Sequence, residues 1–189
     1  MLNVHYYHKQ GQAQTLVASA SFAPINKPLR EQQRQTVRQL LQLCQQHYYP
    51  DTQFADTCYP YTLCNANNER HFVSFSHSDN QVAVAIAPTA CGVDIELGVI
   101  SLKIAKRFFH CNELVLIELL NGEQQLFALK ILWQLKECLA KVHNTGLYKT
   151  LSQDLSDWLS IIIDKPEDSY YIGDYRLLIL NPIITVIKV

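Results

Sequence analysis

Residues 124–143 contain no glycine or proline and are rich in strong helix formers, so they read as one long helix. At about 100° per residue, Lys130, Trp133, Lys136, Glu137 and Lys141 fall in one stripe, while Leu132, Leu135 and Leu139 point elsewhere. A helix with apolar residues on several sides belongs at the centre of a domain, and the fold has to be built around it. Its polar stripe then needs a reason, because buried lysines and carboxylates are costly unless paired or bound to something charged.

A second element supplies that reason. Val82-Ala83-Val84-Ala85-Ile86-Ala87 is an apolar strand-like run, and Cys91-Gly92-Val93-Asp94-Ile95-Glu96 follows after a proline-containing turn. On a strand Asp94 and Glu96 project from one face, with Val93 and Ile95 turned to the core. Carboxylates so placed repel unless a cation sits between them, and their hard oxygens suit Mg²⁺. With Glu137 brought opposite by the helix, they would hold one Mg²⁺ and leave positions open for phosphate oxygens and water. Each feature alone has a plainer reading. Asp-x-Glu at a strand end is commonly just solvated, Lys141 lies four residues after Glu137 as in a simple helix ion pair, and Trp133 suits a core. Upstream, Val73 and Phe75 alternate with serines in a strand expected to end at Ser76. His77 stands between Ser76 and Ser78 before a turn at Asp79-Asn80, a polar cluster able to meet a phosphate or a satisfied structural histidine.

Ser-His-Ser, then Gly-Val-Asp-Ile-Glu, then Trp-x-x-Lys-Glu-Cys-x-x-Lys, in that order and spacing, resemble the 4′-phosphopantetheinyl transferases, and most closely their two-lobed Sfp-like branch. The resemblance runs from about Phe72 to Leu147 and includes Ile104-Ala105-Lys106-Arg107-Phe108-Phe109, with Glu113 shortly after. It implies an enzyme that moves the phosphopantetheine arm of coenzyme A to a serine of an apo acyl, aryl or peptidyl carrier protein, releasing adenosine 3′,5′-bisphosphate. It further implies Mg²⁺ at Asp94, Glu96 and Glu137. Ser76 and His77 are expected on CoA phosphates, Lys136 and Lys141 against phosphate charge, Lys141 also on the leaving group, and Glu137 as the route by which the attacking serine loses its proton. Arg38, in Arg38-Gln39-Leu40-Leu41, matches an element whose arginine contacts CoA. Such chemistry needs mainly positioning and charge stabilisation. The alternative within the same fold is a CoA- or carrier-binding module with weak or no turnover. An Mg²⁺-dependent phosphodiesterase is a third reading.

The chain also departs from that family. Asn144 replaces the first glycine expected after Lys141, and asparagine tolerates the left-handed backbone such a turn needs. The usual Gly-Lys-Pro is absent, the region reading Asn65-Ala66-Asn67-Asn68-Glu69-Arg70, and basic residues are few in the first half.

The resemblance implies two similar α+β lobes forming a pseudo-dimer within one chain, residues 1–90 and 91–189, with the active site in the cleft between them. The sequence supports strands at 2–8 and 14–22, a helix over 29–47, a turn-rich segment at 50–70 with a short strand near 60–64, and strands at 71–76 and 81–87. Strand 91–97 opens the second half, with helices at 101–109 and 112–120 before the long one. Strands are expected at 158–163, 169–172, 175–180 and 183–187. In the first helix Val37, Leu40, Leu41 and Cys44 form an apolar face, and the many glutamines around it read as a solvated face.

A net charge of −1 argues against general nucleic-acid binding. The cysteines (44, 58, 64, 91, 111 and 138) show no C-x-x-C pair or regular spacing, so neither zinc nor a disulfide framework is expected. No apolar run is long enough to cross a membrane, and the first residues lack the basic-then-apolar pattern of a signal peptide. A cytoplasmic monomer is the expectation.

Overall fold

In the computed structural model, residues 3–8, 15–55, 59–165 and 167–189 are described. Met1, Leu2, Gln14 and Cys58, on which expected strand ends and the cysteine reading touch, lie outside the described residues. The fold is mixed α+β with two antiparallel sheets.

The first sheet contains β1 (Asn3–His8), β2 (Leu16–Ser21), β3 (Thr52–Ala55), β4 (Tyr61–Asn65), β5 (Arg70–Ser78) and β6 (Gln81–Ala87), in the order β1-β2-β6-β5-β4-β3. Strict alternation sorts its faces. Leu16, Ala18, Val73, Val82, Val84 and Ile86 meet Val37, Leu40, Leu41 and Cys44 of helix α1 (Leu29–Tyr48). The opposite face carries small side chains: Ala83, Ala85 and Ala87 on β6, with Ser74 and Ser76 paired beside Ala85 and Ala83.

The second sheet runs β7-β10-β9-β8, from β7 (Cys91–Ile95), β8 (Ser169–Ile172), β9 (Tyr175–Leu180) and β10 (Ile183–Lys188). Between β7 and β8 come α2 (Leu102–Phe108), α3 (Cys111–Leu119), α4 (Gly122–Val142), α5 (Leu147–Leu151) and α6 (Ser156–Asp164). Helix α4 is the expected central helix. Leu129, Leu132, Leu135, Cys138 and Leu139 are buried in a core shared with α3, α6 and β10. Gly92 lets α4 approach β7: a Cβ there would stand 2.1 Å from the carbonyl oxygen of Cys138. The sheets share a third cluster in which Val17, Ala83, Ala85 and Ala87 meet Cys91, Val93, Ile95, Ile183 and Ile187.

Several expectations are corrected. Residues 158–163 are helical, in α6, because Leu155, Leu159 and Ile162 recur at helical spacing and are the buried positions. The run of isoleucines gave a strand signal that tertiary packing overrides. Gln32 and Gln33 are buried rather than solvated. Gln32 is bonded to the backbone of Ile25 and Lys27, and the Gln33 amide donates to Asp79 O at 2.8 Å. The segment expected to be turn-rich holds β3, β5 continues to Ser78, and α5 follows α4. The described cysteines 44, 64, 91, 111 and 138 are free thiols. Among the described residues, no helix is long and apolar enough to cross a membrane.

Candidate functional site

The seam between β7 and α4 gathers charge at a largely buried place beside a cavity. Asp94 points from β7 toward α4 and is only 4% exposed. From α4, the Lys141 ammonium donates to Val93 O at 2.6 Å and lies 3.3 Å from Asp94 Oδ1 and 3.8 Å from Glu137 Oε2. Burial pushes the Asp94 carboxyl above its usual range, against the pull of Lys141 and Ser76, and Glu96 adds to the rise. Glu137 is likewise raised, by burial first and then by Asp94, with Lys141 opposing. Burial works against the Lys141 ammonium, but Asp94, Cys138 and Glu137 outweigh it and its pKa is raised. This is a pair of mutually repelling carboxylates held together by one lysine. Below them the Gln134 amide donates to Asp94 O at 3.3 Å and Pro182 O at 2.8 Å, tying β7, α4 and the turn before β10 together.

Glu96 stands just past β7 and is turned differently. Its Oε1 accepts from Gly98 N at 2.6 Å and from the Ser78 hydroxyl at 3.3 Å. The hydroxyl of Ser76 donates to Asp94 Oδ1 at 2.8 Å. Sequence reasoning named Ser76 and Ser78 around His77 but gave a residue role only to Ser76 and none to Ser74, although the two-residue spacing places all three serines on one strand face.

The other candidates lie elsewhere. Lys136 is not part of the seam: it is fully buried, its Nζ 2.8 Å from Glu113 Oε1 and donating to Gln153 O at 2.6 Å. Burial lowers its pKa, and Glu113 works to restore it. The one-stripe picture of α4 fails here because Lys136, at the edge of that stripe, meets α3 while Glu137 and Lys141 meet β7. Arg38 lies on the α1 side of the first sheet, its guanidinium carbon 4.9 Å from the Phe54 ring centroid and 5.5 Å from that of Phe75. His77 is exposed and follows Phe75 on that same strand face, opposite Ser76.

At the end of α4 a cavity of about 310 Å³ is lined by Tyr59, Glu137, Lys141, Asn144, Thr145 and Leu147, among others. Tyr59, on the chain leading into β4, donates its hydroxyl to Lys141 O, and burial raises its pKa strongly. Asn144 takes φ 51°, the left-handed turn expected of it. The Thr145 hydroxyl is buried without a hydrogen-bond partner among the described residues. Neither Tyr59 nor Thr145 carried a sequence signal.

Among the described residues, no group of three or more His, Cys, Asp or Glu side chains is arranged to hold a metal ion as it stands. The donor chemistry nevertheless fits a hard divalent cation. Asp94 pushes the Glu137 carboxyl toward the neutral form, which a cation between them would relieve, and both offer only oxygen.

Comparison with known proteins bears on this seam. Residues 90–178, from the start of β7 to within β9, match the model of the 4′-phosphopantetheinyl transferase superfamily. The chain is 38% identical over 79 residues to the 4′-phosphopantetheinyl transferase gsp of Aneurinibacillus migulanus. That match covers 41% of this chain and 33% of the relative's length, so about a third of that protein is spanned. The likeness to the 4′-phosphopantetheinyl transferase superfamily thus lies in the segment that carries β7 and α4.

Proposed function

We propose that this protein transfers the 4′-phosphopantetheine group of coenzyme A to a serine of an apo acyl, aryl or peptidyl carrier protein. The observation that carries this reading is the Asp94–Lys141–Glu137 cluster, lying within the segment matched to the superfamily. In the reaction the serine oxygen forms a bond to the β-phosphorus of CoA, and the bond to adenosine 3′,5′-bisphosphate breaks. Asp94, Glu96 and Glu137 would hold Mg²⁺, which when bound supplies positive charge to the pyrophosphate. Glu137, whose carboxyl is raised by burial and by Asp94, would take the proton of the attacking serine, directly or through a water. Lys141 keeps its ammonium among these carboxylates and offsets charge on the leaving phosphate. His77 and Arg38 are assigned to CoA from the α1 side of the first sheet. Lys136 has no phosphate role in this scheme, because its ammonium is committed to Glu113.

The same reading gives the chain two α+β lobes, residues 1–90 and 91–189, as a pseudo-dimer with CoA in the cleft. The change of sheet between β6 and β7 and the Tyr59 contact to α4 support it. It also casts the protein as a cytoplasmic monomer whose partners are CoA and a carrier protein rather than nucleic acid or membrane, serving fatty-acid, polyketide or nonribosomal-peptide synthesis. The mildly basic stretch 98–149, with seven Lys and Arg against four Asp and Glu, suits an acidic carrier. Intact-mass spectrometry of apo carriers incubated with the protein, CoA and Mg²⁺ tests this. A gain of one phosphopantetheine is expected. No change would leave a binding module, and CoA cleavage without carrier modification would indicate a phosphodiesterase.

A further inference from the structure

Strand β7 is an edge of its sheet: β10 pairs along one side, and among the described residues no strand is hydrogen-bonded to the other. The backbone N–H groups on that free side go instead to side chains of β5. Val93 N donates to Ser74 Oγ at 3.1 Å, Ile95 N to Ser76 Oγ at 3.2 Å and Leu97 N to Ser78 Oγ at 3.1 Å. Serines at every second position of one strand thus satisfy the edge of another, and the small face they share with Ala83 and Ala85 lets the backbones come close. A hydroxyl that accepts in this way still has its own proton to give. Ser76 gives it to Asp94 Oδ1 at 2.8 Å, and Ser78 gives it to Glu96 Oε1 at 3.3 Å. Ser74, fully buried, makes the same backbone bond but touches no carboxylate of the site.

From this we infer that Ser76 and Ser78 are positioning residues, each gripping a backbone N–H of the β7 segment and the carboxylate of the residue before it, so that Asp94 and Glu96 are held in place for a divalent cation. The inference rests on the metal-dependent transferase reading. It gives Ser76 a different task from phosphate binding, since its proton is already committed to Asp94. Ser74 is the built-in control, sharing the stitching of the two strands without the carboxylate bond.

Mn²⁺ serves as the probe, its binding to the full chain followed by electron paramagnetic resonance with CoA present and absent, alongside thermal unfolding. Ser74→Ala, Ser76→Ala and Ser78→Ala are all expected to lower the melting temperature. Only the last two should weaken Mn²⁺ binding, by about 10- to 100-fold as is usual when an outer partner of a metal ligand is removed. Ser78→Thr, at a half-buried position, keeps the hydroxyl and should bind Mn²⁺ like the wild type. Equal Mn²⁺ affinity in wild type, Ser76→Ala and Ser78→Ala would overturn the inference, as would a loss in Ser74→Ala matching that in Ser76→Ala. Wild-type protein that binds no Mn²⁺ would instead overturn the metal reading beneath it.

Discussion

Adjacent residues on one helix can have unrelated tasks, and Lys136 and Glu137 are the case here. Lys136 neutralises a carboxylate that is itself fully built in: Glu113 accepts from His110 N at 2.9 Å and from Leu155 N at 2.8 Å. Lys136→Met would leave that carboxylate buried beside no cation, a change that typically costs about 3–5 kcal/mol. We expect a large fall in the urea midpoint, with the KM for CoA unchanged in the folded fraction. Wild-type stability with a raised KM would return Lys136 to phosphate binding. Glu137→Gln keeps size and helix propensity, so it should leave the urea midpoint near wild type while single-turnover transfer at saturating CoA falls strongly. Transfer within a few-fold of wild type would reduce Glu137 to the helix partner of Lys141. Sequence patterning could place both residues on α4, but at this scale it could not separate them. The distinction depends on Glu113 arriving from α3, a contact between elements that one helix's periodicity does not contain.

Among the elements, the pairing of β7 with α4 was the most legible, because each carries its own local signal: an apolar strand with Asp94 and Glu96 on one side, and a long helix without breakers. What holds the two together is a missing side chain. A methyl at Gly92 would lie 2.1, 2.8 and 2.9 Å from the carbonyl oxygen, carbonyl carbon and Cα of Cys138, all backbone atoms that cannot swing aside. Gly92→Ala therefore has to lift α4 off β7, and overpacking of this kind usually costs about 1–3 kcal/mol or more. We expect a lower melting temperature together with weakened transfer, because Asp94 sits on the strand and Glu137 and Lys141 on the displaced helix. A variant with the wild-type melting temperature and activity would show that the seam has slack. Helix α6 is the opposite case. Its Trp158-Leu159-Ser160-Ile161-Ile162-Ile163 has the β-branched content of a strand, and only the burial of Leu155, Leu159 and Ile162 against the α4 core shows which period governs.

For the molecule as a whole, the question is whether its two sheets stand or fall together. Features that cross between them include the apolar cluster joining Ala83, Ala85 and Val17 to Val93, Ile95 and Ile187, the serine bonds from β5 to β7, and the Tyr59 hydroxyl on Lys141 O. None is visible as a sequence pattern, since alanines and serines on a strand read equally well as a solvated face. Both tryptophans, Trp133 and Trp158, lie in the second half, so their fluorescence reports on that half alone. Leu40 is fully buried between α1 and the first sheet, far along the chain from either reporter. Leu40→Ala should cost about 2–5 kcal/mol, as large-to-small core changes do. If the shared cluster couples the sheets into one cooperative unit, tryptophan fluorescence and far-UV circular dichroism will shift together to lower urea, in a single transition. A tryptophan transition left at its wild-type midpoint, with circular dichroism splitting into two steps, would mean that the second half folds by itself. The site would then draw Ser76, Ser78 and Tyr59, and the CoA-assigned His77 and Arg38, from the first half, but not the stability of the strand and helix that carry its charge.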